Sequence, residues 1–366
     1  MSAALFPGMQ RMVDRLLVFI AQDGCGDAEF DALAAELFAF QYEHDAALRR
    51  FCQRRGVTPR HVRGWRDIPA VPISAFKDAI LSCLPPAECE RVFMTSGTTR
   101  EDARGLNHHP TIAVWDASMR RNFAQRFMQG SGPLPMSILF PSEQELPNSS
   151  LARYLSLAAR EFGASGSSAH GIGPGGMQIA QVCTALDHAV ETGRPVAILG
   201  ASYSFVHLLD ALAERGRRFA LPAGSRILDT GGYKGQSRTL ELRAFYDALG
   251  EGFGVSPASC INMYGMTELS SQFYDSGNAT LPSVKSGPHW VRTRVVHPLT
   301  GDEMPHGERG LLVHCDLANF NSATTILTED MGMAADGGFL LLGRAEGVEA
   351  KGCSMAMQEF LRAVSP

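Results

Sequence analysis

Apolar residues recur at helical spacing near the start of the chain, and this pattern predicts amphipathic helices over residues 9–21 and 28–55. In the second helix the spaced apolar side chains are Phe30, Leu33, Leu37 and Phe40, and Gly56 ends the pattern. His44 and Asp45 fall within it and are interpreted as part of a solvated face. Prolines in the DIPAVPISAFK segment at 67–77 then impose an extended path that leads toward a sheet.

From residue 91 onward, short apolar runs alternate with helical patterns, which is typical of an α/β fold with a largely parallel sheet. The predicted strands are 91–94, 136–140, 195–199, 225–228 and one that ends near Met263. The predicted helices are 112–128, 149–162, 204–215 and 238–249. Further on, short strands at 291–296, 310–314 and 338–342 are separated by turn residues, which indicates antiparallel β structure.

These patterns divide the chain into four segments. Residues 1–90 form a helical region packed on the core, and 91–284 form the α/β core. Residues 285–342 form a β-rich subdomain, and 343–366 form a hinge and a short C-terminal stub. The stretch at 165–176 is interpreted as a flexible loop.

Composition excludes several classes of protein. The 366 residues are 45% hydrophobic, with a formal charge of −5, so the chain as a whole attracts neither nucleic acid nor an anionic membrane. Eight cysteines occur without a CxxC pair, which disfavours a structural zinc site and a disulfide scaffold. With no signal-peptide pattern and no apolar run long enough to span a bilayer, a cytoplasmic location is expected.

A strand-like run leads into MTSGTTR at 94–100, where three kinds of feature suit a phosphate chain. Hydroxyl groups and successive backbone amides can donate to phosphate oxygens, and Gly97 removes a Cβ that would hinder the approach. A Walker loop would require G-x-x-x-x-G-K-[ST], which is absent here. A hydroxyl-rich turn that caps the next helix is the alternative.

Four further stretches combine glycine with polar side chains that can bind a nucleotide: NMYGMTE at 262–268, DTGGYK at 229–234, TEDMG at 328–332 and GR at 343–344. An aromatic ring such as Tyr264 can stack on a base, and a carboxylate such as Glu268 can hold magnesium. Asp330 can accept two ribose hydroxyls, and Arg344 can bridge ribose and phosphate.

Two other motifs are rejected. GIGPGG at 171–176 satisfies G-x-G-x-x-G, but no predicted strand precedes it and no acidic residue stands at the distance that a ribose contact needs. A nicotinamide oxidoreductase that uses this loop is therefore a minor alternative. The run at 200–204 lacks the closing glycine of a hydrolase nucleophile elbow.

In their order the five stretches resemble the adenylate-forming superfamily of acyl- and aryl-CoA ligases and adenylation domains. Within it the chain is most similar to the acyl-protein synthetase (LuxE) family and then to phenylacetate–CoA ligases. That similarity is carried by DIPAVPISAFK at 67–77, ILFPSEQELPNSSLARY at 138–154 and TGGYK at 230–234. The resemblance spans residues 60–354 and implies the superfamily's large-domain fold without its mobile C-terminal lid.

The resemblance also implies the roles of the site residues. The residues that would bind the phosphates of ATP are Thr95, Ser96, Gly97, Thr98 and Thr99. Tyr264 and Gly265 would contact adenine beside Gly231 and Gly232. Thr267 would contact the α-phosphate, Glu268 the magnesium ion, Asp330 the ribose and Arg344 the edge between ribose and phosphate.

Two features depart from the superfamily pattern. No lysine follows the phosphate loop, and too few residues follow Arg344 for the lid that supplies a catalytic lysine. A cation must still offset the charge of the transition state, and Lys234 is the candidate, with Lys351 as the alternative.

Cys353 matches a cysteine that carries the acyl group as a thioester in acyl-protein synthetases, and the neighbouring Lys351 is expected to favour its thiolate. An unremarkable cysteine is the competing interpretation. Ala201, Tyr203 and Phe205 are expected to line an apolar pocket for the acid.

The predicted function is ATP- and Mg²⁺-dependent activation of a fatty or aromatic acid as acyl-AMP, followed by transfer to a thiol. The acceptor is this chain's own cysteine, an acyl carrier protein, CoA, or an acyl-transferring or acyl-reducing partner protein. An acyl- or aryl-CoA ligase is one alternative, and a catalytically reduced nucleotide- or acyl-binding protein is another.

Overall fold

The computed structural model describes residues 5–96, 104–232 and 237–364. Its helices are α1 Pro7–Ala21, α2 Asp27–His44, α3 Ala46–Arg54, α4 Ala75–Asp78, α5 Ala113–Phe123, α6 Ser150–Phe162, α7 Ile179–Thr192, α8 Ser202–Glu214, α9 Leu242–Phe253 and α10 Gly347–Val364. Its strands are β1 Val71–Pro72, β2 Arg91–Met94, β3 Leu106–His109, β4 Met136–Leu139, β5 Ala169–His170, β6 Ile172–Gly173, β7 Gly176–Met177, β8 Ala197–Ala201, β9 Arg226–Thr230, β10 Cys260–Tyr264, β11 Phe273–Tyr274, β12 Val284–Lys285, β13 Val291–Val296, β14 Arg309–Asp316, β15 Thr325–Ala335 and β16 Gly338–Arg344.

The chain folds into two compact units. The first comprises Met1–Arg121, Met266–Gln272 and Val284–Pro366, and the second comprises Asn122–Gly265 and Phe273–Ser283. These boundaries differ from residues 90, 284 and 342, at which the sequence changes character.

The first unit is built on an antiparallel sheet with the order β12-β16-β15-β14-β13, to which β1 adds in parallel beside β15. The hairpin β2–β3 is a separate two-stranded sheet. Helix α10 packs against α3, α4, β1 and β15. The segment predicted to be a short stub therefore contains an 18-residue helix docked on the sheet.

The second unit has a six-stranded sheet in the order β11-β10-β9-β8-β4-β5. All neighbouring strands are parallel except β11, which runs antiparallel to β10. Buried side chains from helices α7, α8 and α9 pack on this sheet and form its hydrophobic core. The predicted α/β fold with a largely parallel sheet and a C-terminal antiparallel region is confirmed.

One predicted helix is two helices, because Asp45 interrupts it. Its carboxylate accepts hydrogen bonds from the amides of Ala47 and Leu48, at 2.8 and 3.0 Å, and so caps α3. Asp45 is only 1% exposed, so its assignment to a solvated face was wrong. Burial raises the pKa of this carboxyl group to about 7.

Two segments without a predicted strand also need correction. TEDMG at 328–332, for which no strand was predicted, lies inside the 11-residue strand β15. The stretch predicted as a flexible loop contains β5 and the hairpin β6–β7, so a two-residue strand does precede GIGPGG. The hairpin occupies the place where a dinucleotide site would have a direct turn from strand to helix.

Among the described residues, no helix combines the length and the hydrophobicity needed to cross a membrane.

Candidate functional site

In the first unit, the end of the hairpin β2–β3 positions the start of the hydroxyl-rich loop. The amide of Thr95 donates to the carbonyl of Gly105 at 3.0 Å, and the amide of Gly105 donates to Thr95 Oγ1 at 2.9 Å. Ser96 follows and is exposed. Gly97, Thr98, Thr99 and Arg100 lie outside the described residues.

Glu268 lies directly beside this hairpin end. A Cβ placed on Gly105 would be 3.1 Å from Thr95 Cγ2 and 3.3 Å from Glu268 Oε1, so the three residues are in close contact. Gly105 was not singled out from the sequence. Its lack of a side chain lets the strand approach the carboxylate.

Buried amide and carboxylate groups fix the segment that carries Glu268. Asn319 Nδ2 donates to the carbonyl of Glu268 at 2.9 Å, and Asn107 Nδ2 donates to the carbonyl of Thr267 at 3.1 Å. Asp316 accepts from the amide of Ser270 at 2.9 Å. These supporting residues were not predicted from the sequence, because only the fold brings them to one segment.

Glu268 is 5% exposed, and burial raises the pKa of its carboxyl group to about 7. The positive charges of Lys77 and Arg344 oppose this increase, whereas the negative charge of Glu329 adds to it. Lys77 was overlooked as a cation, although it ends the DIPAVPISAFK segment used for the resemblance. Its helix α4 packs against β3, which places this charge near the hairpin end.

Asp330 and Arg344 are paired in register across β15 and β16. Arg344 Nε lies 3.4 Å from Asp330 Oδ1, and Arg344 Nη1 lies 3.2 Å from Glu329 Oε2. The amide of Asp330 donates to Thr328 Oγ1 at 3.1 Å, which helps to fix the strand at this point. Asp330 and Arg344, the residues predicted to contact ribose and phosphate, therefore lie side by side on one strand pair.

Cys353 lies in α10 and packs against the same strand. Its Sγ lies 3.9 Å from the carbonyl oxygen of Thr328, and its side chain is half-buried. Burial raises the pKa of its thiol to about 11, Glu329 and Asp330 add to the increase, and Arg344 opposes it. The expectation that the environment favours the thiolate was therefore wrong. Lys351, the neighbour expected to favour it, is exposed.

In the second unit, a buried aspartate organises the carboxyl ends of three parallel strands. Asp229 Oδ2 accepts from Ser202 Oγ at 2.9 Å and from Asn262 Nδ2 at 2.8 Å, and its Oδ1 accepts from Tyr246 OH at 3.1 Å. Ser202 Oγ also lies 3.0 Å from the carbonyl oxygen of Gly231. This network fixes the point where β9 passes into the glycine turn.

The predicted adenine-binding residues of this unit lie at these strand ends. Gly231 has a φ of +72°, a conformation that favours glycine, and both Gly231 and Gly232 are exposed. Tyr264 ends β10, and its ring centroid is 5.8 Å from that of Phe273. Gly265 follows it and is exposed. Lys234 lies outside the described residues.

The three residues predicted to line the acid pocket differ in how deeply they are buried. Ala201 is 4% exposed and Phe205 is fully buried in the core of the second unit. Tyr203 is partly buried, which raises the pKa of its hydroxyl. The core packing explains Phe205 without a ligand, and a pocket role for these three residues stays a prediction.

The family model described as acyl-protein synthetase, LuxE, matches residues 27–362. A long-chain-fatty-acid–luciferin-component ligase of Vibrio harveyi is 24% identical over an alignment of 339 positions, which covers 89% of this chain and 86% of that protein. A ligase of the same name from Aliivibrio fischeri is 23% identical and covers 84% of this chain and 79% of its own length.

Among solved structures, a 2-hydroxyisobutyryl-CoA ligase in complex with 2-HIB-AMP has a similar fold. The TM-score is 0.67 at 16% identity, and the alignment covers 87% of this chain and 67% of that chain. At this identity the likeness concerns the fold.

Proposed function

The chain belongs to the acyl-protein synthetase (LuxE) family, and on that premise we propose that it activates a carboxylic acid with ATP as an acyl-adenylate and then transfers the acyl group to a thiol. The grouping within one unit of Thr95, Glu268, and the Asp330–Arg344 pair carries this proposal. The curated relatives are named as long-chain-fatty-acid ligases, so a long-chain fatty acid is the first candidate substrate.

In the first step, a carboxylate oxygen of the acid attacks the α-phosphorus of ATP and the bond to the β-phosphate breaks. Acyl-AMP forms and pyrophosphate leaves. Thr95 and Ser96 would hold the β- and γ-phosphates, Thr267 the α-phosphate and Asp330 the ribose. Catalysis would come chiefly from positioning and from stabilisation of negative charge.

Magnesium suits Glu268, because a buried carboxylate with a raised pKa regains its charge when a cation lies beside it. The described residues contain no cluster of three or more histidine, cysteine, aspartate or glutamate side chains able to hold a metal ion. The other ligands would therefore be phosphate oxygens and water, as is usual for this ion. When bound, Mg²⁺ would neutralise charge on the phosphates.

Lys77 is proposed as the protein cation that offsets charge on the polyphosphate. Its ammonium group acts on Glu268 in the folded chain, together with the guanidinium of Arg344. Lys77 thus joins Lys234 and Lys351, the cations proposed from the sequence.

In the second step, the thiolate of Cys353 attacks the acyl carbonyl, AMP leaves and a thioester forms. The proton of the thiol must first pass to solvent. The position of Sγ against β15, the strand that carries Asp330, supports this residue as the acceptor. Its raised pKa favours a second possibility, in which the thiol of CoA or of an acyl carrier protein accepts the acyl group directly.

Carboxylate-dependent exchange between ATP and pyrophosphate tests the first step. With a panel of fatty and aromatic acids, the wild-type chain should catalyse exchange with at least one acid. Glu268→Gln should lower the rate by about a hundredfold or more, because removing a preorganised charged group has a cost of this size. Glu251→Gln, at an exposed position of the second unit, is the matched control and should retain wild-type exchange.

If no acid supports exchange while ATP still binds, the chain is a nucleotide-binding protein and the ligase proposal fails. Covalent labelling with radiolabelled acid then tests the acceptor. Cys353→Ala should retain exchange and lose the label. If the label persists in that variant, Cys353 is not the acceptor.

A further inference from the structure

A cavity of about 760 Å³ lies in the first unit, and its lining includes neither Glu268 nor the Asp330–Arg344 pair. Part of its wall is apolar and includes Ile68, Val296, Leu327 and Met355. Five arginines and two carboxylates give the rest of the wall a basic character. The arginines that line it are Arg54, Arg55, Arg66, Arg294 and Arg362. So dense a positive lining is unexpected in a chain with a formal charge of −5.

The two carboxylates of the lining are already engaged. Asp67 Oδ2 accepts from the backbone amides of Arg63 and Gly64, at 2.8 and 3.1 Å. Glu359 receives both Nε and Nη2 of Arg55, at 2.8 and 2.6 Å. Arg66 is paired with Glu303, its Nε lying 3.0 Å from Glu303 Oε2, and Glu359 also attracts Arg54. Five arginines thus face three carboxylates, and the cavity keeps an excess of positive charge.

Three guanidinium groups keep unused donors. Across the described part of the chain, neither Arg54 nor Arg362 has a hydrogen-bond or ion-pair partner. Nε of Arg294 is buried and also lacks a partner, although Nη1 of this residue donates to the carbonyl of Arg66 at 3.0 Å. Burial lowers the pKa of Arg294. A buried donor without an acceptor is costly, which points to an acceptor supplied by a ligand.

We propose that this cavity binds a phosphate monoester that carries an apolar or extended chain. Guanidinium groups match phosphate oxygens with paired donors, and the three terminal oxygens of a monoester can accept from three arginines. A carboxylate has only two oxygens. The volume exceeds that of a phosphate group, and the apolar wall gives the attached chain a surface to cover.

Two kinds of molecule share this chemistry: a lipid-like alkyl phosphate and free 4′-phosphopantetheine, whose phosphate is esterified at one oxygen only. Helix α10 borders the cavity through Gly352, Met355 and Glu359, and the same helix carries Cys353. A ligand in the cavity would therefore contact the helix that bears the proposed acyl acceptor.

Isothermal titration calorimetry of the full chain tests the proposal with four probes: octyl phosphate, 4′-phosphopantetheine, inorganic phosphate and octanoate. Octyl phosphate or 4′-phosphopantetheine should bind more tightly than the other two, and the tighter of this pair identifies the source. In the variant that combines Arg54→Gln with Arg362→Gln, the dissociation constant should rise at least tenfold. Arg218→Gln, an exposed arginine of the second unit, should change it less than twofold.

ATP–pyrophosphate exchange, measured in the same variants, should stay at the wild-type rate, because neither arginine belongs to the proposed adenylation site. Binding that does not depend on the two arginines overturns the proposal, and so does octanoate binding as tight as that of octyl phosphate. The single variants Arg54→Gln and Arg362→Gln replace the combined one if its thermal unfolding shows that it does not fold.

Discussion

Acyl transfer to Cys353 should accelerate about tenfold for each pH unit between pH 7 and pH 10. The thiol has a pKa of about 11, because burial and the carboxylates of Glu329 and Asp330 outweigh the guanidinium of Arg344. At pH 7 only about one thiol in 10,000 is then ionised, compared with about one in 100 for a thiol at the ordinary value of 9.0. Since the thiolate is the nucleophile, the transfer rate should follow this fraction.

A single-turnover assay measures this rate. The chain is mixed with radiolabelled acid and ATP, quenched in acid, and assayed for label that hydroxylamine removes. Exchange of ATP with pyrophosphate at each pH separates the adenylation step from the transfer. Glu329→Gln should lower the thiol pKa and raise the transfer rate at pH 7.5, because one repelling charge is lost.

Cys353→Ala gives the background of the same assay and should show no label. A transfer rate that is constant from pH 7 to pH 10, or that levels off below pH 9, would refute the assignment of a high pKa to the acylated thiol.

The stability and geometry of the first unit give two more predictions. The folded chain keeps the proton of Asp45 to about pH 7, whereas an unfolded chain loses it near pH 4, so the free energy of unfolding should fall by about 4 kcal/mol as pH rises through this range. Asp45→Asn retains an acceptor for the helix cap and should remove this fall in urea unfolding at pH 4.5 and 8; equal pH dependence in both proteins would contradict it. Gly105→Ala adds a methyl group against Thr95 and Glu268 and should lower exchange about tenfold or more while the chain stays folded, since small displacements at a reacting centre are costly. Wild-type exchange in that variant would show that the contact does not matter.

The hydrophobic pattern identified most of the second unit, because its helices bury one face and its central strands are continuous buried apolar runs. The strands predicted at 195–199 and 225–228 correspond to β8 and β9 within two residues. The break at Asp45 was missed, although an aspartate before Ala46 and Ala47 is a helix-start signal. Apolar positions continue on both sides of it, so the period alone did not reveal the break.

Strand β15 was missed for a different reason. TEDMG at 328–332 contains polar residues and a glycine, which locally favour a turn. Its partners β14 and β16 lie on both sides of it, and a register shift between Met331 and Gly332 accommodates the irregular pattern. Pairing with two strands therefore outweighs the local preference.

The proposed site residues Glu268, Asp330 and Arg344 could be named from the sequence, because the chemistry of each is visible in its own motif. Lys77 and Gly105 were not predictable in this way, because their contribution depends on how α4 and β3 approach Glu268. The high pKa of Cys353 could not be predicted from the sequence either, because burial and two carboxylates on strand β15 determine it.

At Gly352 the helix that carries Cys353 makes its closest approach to the loop that contains Pro298. Any side chain there would collide with the carbonyl oxygen of Pro298, so α10 touches main chain directly at this point. Arg362 lies ten residues further along, about 15 Å at 1.5 Å per residue. Over that length α10 is held a second time, because Phe360 is fully buried against Phe51 and Glu359 pairs with Arg55, so Cys353 lies on a helix that is anchored on both sides of its sulfur.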